Sequence, residues 1–229
     1  TTPSNPTGMV MTEEQLRGIA DFAVEKDIIV IADEIYEKLI YSKDKKHISI
    51  ASFNQEIYDR TITVNGVSKS YAMTGWRIGY TASPLKIAKL MASMQSHMTS
   101  NPNSIAQKAA LAAIAGPQDC VEQMREQFEK RRDYIYERVA KMPYVKTIKP
   151  EGAFYLFIDF SGTYQKAYKG ETLSSAAQIG AMLLDEKLLA VVPCADFGMP
   201  DHIRFSYATS IENITKGMDR LEEFLAEIK

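Results

Sequence analysis

Apolar positions along the chain follow two rhythms, and the switches between them mark its elements. Thr12-Glu-Glu-Gln15 is a capping-box sequence that leads into Leu16, Ile19, Ala20 and Ala23 at helical spacing. Residues 28–32 (IIVIA) are apolar throughout and mostly β-branched, which predicts a strand covered on both faces, as in a parallel sheet. A charged loop at 42–49 (SKDKKHIS) is expected to lie exposed and separates that strand from TITV at 61–64. RIGYTAS at 77–83 reads as a third strand. Pro84 then falls in the first turn of a helix carrying Leu85, Ala88 and Met91 or Ala92. Helix, strand, strand, strand and helix in this order point to an α/β layer.

Residues 104–142 keep a helical period and are rich in Ala, Glu, Arg and Lys. Gly116-Pro117 interrupts them, which predicts two helices or one sharply kinked helix. After Pro143 the rhythm changes again. YVKTIKP and AFYLFIDF read as strands, a polar loop follows, and Ser175-x-x-Gln178 opens another helix. LAVVP and HIRFSYA are further strands, and an amphipathic helix (NITKGMDRLEEFLAEIK) ends the chain. This second part reads as a compact α+β unit. No internal repeat or low-complexity tract interrupts the pattern.

Composition narrows the class of function. Of 229 residues, 45% are hydrophobic and 24% charged, a soluble globular mix, and the formal charge is −2. With a pI near 6.0 and no basic cluster, the chain lacks the electrostatic footprint of a nucleic-acid binder. Cys120 and Cys194 lie far apart in sequence, which fits a reducing, cytoplasmic setting better than a disulfide scaffold. No apolar run approaches membrane-helix length, and no signal-peptide pattern opens the chain. The sequence begins TTPSNPTGM, on a turn and without an initiator Met, which leads us to expect a processed chain or a piece of a longer one.

Four groups of residues could carry chemistry. Lys69 lies just past the TITV strand, where open α/β sheets bind ligands, and a lysine amine can form a Schiff base with an aldehyde. Its bland reading is a surface lysine in a Ser-rich turn, but Arg77 follows and could fork two hydrogen bonds to a phosphate, with Gly75 and Gly79 allowing close backbone approach. Asp33 ends the IIVIA strand and Tyr36 follows it. They are either a helix N-cap and a packing residue, or an anion for a pyridinium nitrogen with a phenol beside the ring hydroxyl. Asn5, in the Asn-Pro-x-Gly turn, could offer its amide to a ring oxygen or a carboxylate. Arg204 opens an apolar strand and is either a structural ion pair or a two-bond clamp on a carboxylate. No metal site is expected, because His47, His97 and His202 have no ligand spacing and the cysteines form no CxxC pair. No GxSxG, Walker loop or GxGxxG is present.

Taken together, NPTG, ADEIY, SKSYAMTGWRIGY, PEGAFY and RFSYATS resemble, in this order and along the whole chain, the fold-type I pyridoxal-phosphate enzymes, specifically class I aminotransferases of the aspartate aminotransferase-like branch. The resemblance implies an α/β fold: residues 1–115 as the C-terminal part of the large-domain sheet with flanking helices, 116–142 as a connecting helix, and 143–229 as a complete α+β small domain. It implies pyridoxal 5'-phosphate as cofactor and an amino acid and a 2-oxo acid as substrates. Lys69 would form the Schiff base and move a proton, Asp33 pair with the ring nitrogen, and Tyr36 and Asn5 bond the ring oxygen. Arg77 would bind the phosphate and Arg204, with Asn5 nearby, the substrate carboxylate. The loop at 97–104 would reach a neighbouring subunit's site, so a homodimer is expected. Two positions depart from the pattern: Gly66 stands where many relatives have a serine, with Ser68 as its one possible substitute, and Cys194 stands where a glycine is common. Family members also carry an N-terminal portion before the NPTG turn, with the phosphate-capping loop and the ring-stacking aromatic, so this chain is expected to be the C-terminal half or more of such an enzyme. A C–S lyase on the same scaffold, or an inactive fragment, are the alternatives.

Overall fold

A computed structural model describes residues 1–42 and 44–229; Lys43 of the charged loop lies outside the described residues. The chain divides into two compact units, Thr1–Ser4 with Met9–Arg125, and Asn5–Gly8 with Glu126–Lys229.

The first unit begins with α1 (Glu13–Glu25), whose capping box is fully formed: the Thr12 hydroxyl accepts Gln15 N–H and the Gln15 side chain accepts Thr12 N–H. Leu16, Ala20 and Ala23 are buried on one stripe against Ile50 and Ile57, the latter in the short helix α2 (Gln55–Tyr58). Strand β1 (Val30–Asp33) pairs in parallel with β2 (Thr61–Gly66), and β3 (Gly79–Ala82) returns antiparallel on the other side of β2. The expectation that β1 is covered on both faces is corrected here. Val30 and Ala32 pack on the α1 cluster, while Ile31, on the opposite face, is 69% exposed because no described element of the unit packs over it. In the described part of the 42–49 loop Asp44 and Lys46 are exposed as expected, but His47 turns inward onto Glu34. Pro84 caps α3 (Leu85–Met98) instead of lying within it. Helices α4 (Ser104–Ala115) and α5 (Asp119–Val139) are two separate helices, broken at Gly116-Pro117, and the division between the units falls within α5.

The second unit is built on an antiparallel sheet in the order β4 (Lys146–Thr147), β5 (Tyr155–Asp159), β9 (His202–Ser206), β8 (Val192–Pro193). Tyr155, Leu156, Phe157 and Ile158 are all buried, so both faces of β5 are covered. A small hairpin, β6 (Ala167–Tyr168) and β7 (Glu171–Thr172), interrupts the polar loop that the hydrophobic pattern left without structure. Helix α6 (Ala176–Lys187) has half a capping box: Ser175 accepts Gln178 N–H, but the Gln178 side chain accepts from Ser174 N–H and not from the cap residue. The last helix, α7 (Ile211–Ala226), buries Ile214, Met218, Leu221, Phe224 and Leu225 along one face.

The NPTG turn belongs structurally to this second unit. Gly8 has φ +69, and its carbonyl accepts the N–H groups of both Glu151 and Gly152 at 2.9 Å. A Cβ at Gly8 would stand 2.5 Å from Pro150 Cβ, so the site excludes a side chain twice over, by conformation and by space. Gly8→Ala is expected to cost about 2–4 kcal/mol, from the left-handed backbone plus the overlap. Denaturant unfolding checks it as a lower midpoint at unchanged slope; a midpoint within error of the unsubstituted chain would contradict the packing described.

Candidate active site

Parallel strands have their carboxyl ends on the same edge of a sheet, and open α/β sheets bind ligands outside that edge. Asp33 is the last residue of β1, in register with Val64, and Lys69 lies in the turn just beyond Gly66, the last residue of β2. Tyr36 follows on the next turn after Asp33, is 3% exposed, and has Lys69 Nζ 5.9 Å from its ring centroid. Three of the sequence-designated residues are thus gathered in one unit by one strand pairing. Asp33 is half-buried, and its Oδ1 accepts Ile35 N–H at 3.1 Å. No helix follows it, so Asp33 closes a turn instead of capping a helix.

The Lys69 turn is held by two backbone bonds, Ala72 N–H to Lys69 O and Met73 N–H to Val67 O. It is also braced from outside. The Tyr71 hydroxyl donates to Gln118 Oε1 at 2.9 Å, and Gln118 Nε2 donates to the carbonyls of Ala113, Ile114 and Gly116 at the end of α4. Burial, the Glu37 carboxylate and Cys120 push the Tyr71 hydroxyl above its ordinary range, so it stays a donor. Arg77 is exposed, in the left-handed region (φ 50), with Nη1 donating to Thr74 O at 2.8 Å. The guanidinium keeps further N–H donors of the kind that suits a phosphate.

Asn5 and Arg204 belong to the second unit and touch: Arg204 Nη1 donates to Asn5 Oδ1 at 2.6 Å. The guanidinium carbon lies 4.6 Å from the Tyr155 ring centroid and 5.6 Å from that of Phe197. Arg204 Nε is buried and has no partner among the described residues. Among the described residues Arg204 makes no ion pair. It is a guanidinium flanked by aromatic rings with donor capacity left over, the arrangement that suits a carboxylate.

The two departures from the pattern have local causes. Gly66 and Gly79 face each other across β2 and β3; a Cβ on Gly66 would meet Gly79 Cα and Ile78 O at 3.1 Å, and one on Gly79 would meet Asn65 O at 3.1 Å. Cys194 is fully buried at φ −110, a conformation that needs no glycine, and burial raises its thiol pKa. Sequence reasoning missed Gln118, Tyr155, Phe197 and the Glu34–His47 pair. PEGAFY was visible as a motif, but nothing in its spacing says that Tyr155 lies under Arg204.

With this geometry established, comparison with known proteins is decisive about the class. The family profile for aminotransferase class I and II matches residues 1–221, and the chain belongs to that family. An aspartate aminotransferase of Bacillus sp. (strain YM-2) is 47% identical over 223 residues, covering 97% of this chain and 56% of that protein. A probable aspartate/prephenate aminotransferase of Aquifex aeolicus is 46% identical over 99% of this chain and 56% of its own length. The crystal structure of the aspartate aminotransferase from Rhizobium meliloti superposes with a TM-score of 0.95 at 34% identity, covering 99% of this chain and 57% of that one. The chain spans a little over half the length of the curated relatives it matches.

The glycine pair makes a contrast that mutagenesis can read. Gly66→Ser is expected to destabilise the chain by about 1–3 kcal/mol, because the neighbours it meets include backbone. Gly75→Ala, with nothing within 4 Å of its added Cβ, is expected to stay within about 0.5 kcal/mol of the unsubstituted chain. Equal unfolding midpoints for the two variants would contradict the steric account.

Proposed function

We propose that this chain carries Lys69, Asp33, Tyr36, Arg77, Asn5 and Arg204 as site residues of a pyridoxal 5'-phosphate-dependent aminotransferase exchanging an amino group between an amino acid and a 2-oxo acid. The observation that carries the reading is the gathering of Asp33, Tyr36 and Lys69 at the carboxyl ends of two parallel, hydrogen-bonded strands. The donor set fits the cofactor's polar groups. Asp33 has one oxygen engaged by Ile35 N–H and a second that can accept from a pyridinium nitrogen. The buried Tyr36 phenol and the Asn5 amide suit the ring oxygen, and the Arg77 fork suits the phosphate. Bound there, the cofactor supplies an electron sink for charge developing at the substrate Cα.

The chain's own residues do the rest. The Lys69 amine would hold the cofactor by its aldehyde and would carry the proton at the substrate Cα. Arg204, held by Asn5 and its two aromatic neighbours, clamps the substrate α-carboxylate and so orients the Cα–H bond. Aspartate is the donor we assign, supported by the relatives' names. A homodimer is part of the same reading; Leu85, Leu90, Met94 and Met98 on α3 and Ile105 and Leu111 on α4 are all at least 58% exposed, an apolar surface that suits a second copy. A cytoplasmic setting accords with two free cysteines, and no helix among the described residues is long and apolar enough to cross a membrane.

Incubation with pyridoxal phosphate, borohydride reduction and peptide mapping test the assignment. One adduct at Lys69 is expected, and Lys69→Ala should lower amino transfer from L-aspartate to a 2-oxo acid by about a thousandfold or more. Labelling elsewhere, or release of pyruvate and ammonia without amino transfer, would count against it. Arg204→Lys keeps the charge but loses the fork and the flat stacking, so kcat/KM should fall by about a hundredfold with the Lys69 adduct unchanged.

A further inference from the structure

At the corner that carries Asp33 and Tyr36 lies a group of titratable side chains, Glu34, Glu37 and His47, with no role in the chemistry above. The Glu34 side chain is only 6% exposed, and a carboxylate so buried requires a partner. It has one in His47, whose Nε2 lies 2.9 Å from Glu34 Oε2 and whose side chain is 14% exposed. His47 comes from the 42–49 loop, so the bond ties that loop to the corner after β1. The backbone at this corner is fixed as well: Glu34 N–H donates to Val64 O on β2, Glu37 N–H to Glu34 O, and Leu39 N–H to Tyr36 O. One oxygen of Glu37 completes a cluster in which atoms of Glu34, Glu37 and His47 all lie within 4.8 Å of one another.

Two carboxylates and an imidazole so placed could hold a divalent ion or a shared proton. Two observations favour the proton. The Nε2–Oε2 separation is that of a direct hydrogen bond. His47 Nδ1 is buried and has no partner among the described residues, whereas a metal-ligating imidazole ordinarily donates its second nitrogen to a carboxylate or carbonyl.

We infer that His47 is a positioning residue for the reaction. Through its buried bond to Glu34 it holds the corner that carries Asp33 on one side and Tyr36 on the other, and so sets the carboxylate and the phenol against the cofactor ring. The inference rests on the cofactor assignment made above, but the brace itself belongs to the chain alone.

Two measurements on the whole protein, in parallel, test it. The first is amide hydrogen exchange without cofactor, comparing the unsubstituted chain with His47→Leu, which removes the ring nitrogen, and His47→Gln, which can return an N–H near the position of Nε2. Exchange at Ile35 and Glu37 should rise by about tenfold in His47→Leu and recover in His47→Gln, with the β5 amides unchanged in both. The second is cofactor affinity and the pH dependence of its visible absorption. His47→Leu should weaken affinity by about tenfold and shift that pH dependence, and His47→Gln should restore most of both. Unchanged exchange overturns the brace. Altered exchange with unaltered affinity and absorption overturns the positioning role. If the unsubstituted protein takes up no cofactor, the assignment beneath the inference fails and the positioning role fails with it, while the exchange data still report on the brace. Stoichiometric zinc uptake lost in both His47→Leu and Glu37→Gln would assign the cluster to a cation and overturn the proton-bridged pair.

Discussion

The parallel pairing of β1 with β2 is the constraint on which the arrangement of Asp33, Tyr36 and Lys69 depends. Its register sets Asp33 beside Val64, so the two chains leave the sheet on the same edge, and whatever follows each strand must meet there. An antiparallel pairing of the same two segments would send Lys69 to the opposite edge from Asp33. The connection between them, residues 34–60, packs its Ile50 and Ile57 against Leu16, Ala20 and Ala23 of α1 and therefore serves more than the core. It is the crossover that makes a parallel neighbour possible and so leaves Asp33 and Lys69 at the same edge of the sheet.

In the second unit the described residues leave the Arg204 cation without a carboxylate partner. Arg204 projects from a strand whose partner, β5, is buried on both faces, and it is steadied by Tyr155, Phe197 and an amide oxygen instead of a carboxylate. A carboxylate in Asn5's place would bind Arg204 more strongly and neutralise its charge. The NPTG turn that supplies Asn5 is anchored by two N–H donors converging on the Gly8 carbonyl, so the position of the amide is set by backbone, not by a flexible side chain.

Much of this was legible in the sequence where a local rule governs. The Thr12 capping box, the break at Gly116-Pro117 and the amphipathic last helix all follow from neighbouring residues, and all three stand. The motifs likewise pointed to Asp33, Tyr36 and Lys69, whose proximity needs only one strand pairing. Features set by distant partners could not be read. His47 looked like part of a charged, exposed loop because its partner, Glu34, lies beyond the reach of any helical or strand period. In this chain, which spans a little over half the length of its relatives, the face of β1 that carries Ile31 is left exposed, and an apolar run cannot say which segment covers a face. Gln118 gave no signal at all, because a glutamine after Gly-Pro is ordinary until its amide is seen closing a helix end.

The close approach of Gly66 and Gly79 couples two positions that lie thirteen residues apart in sequence. Each glycine is hemmed in by the strand across from it, at 3.1 Å in either direction. A side chain at either one draws on the same narrow gap between β2 and β3, and is accommodated only as far as the strand opposite gives way by a few tenths of an ångström. The two positions thus share one steric allowance, and filling it from one strand alters what the other can hold.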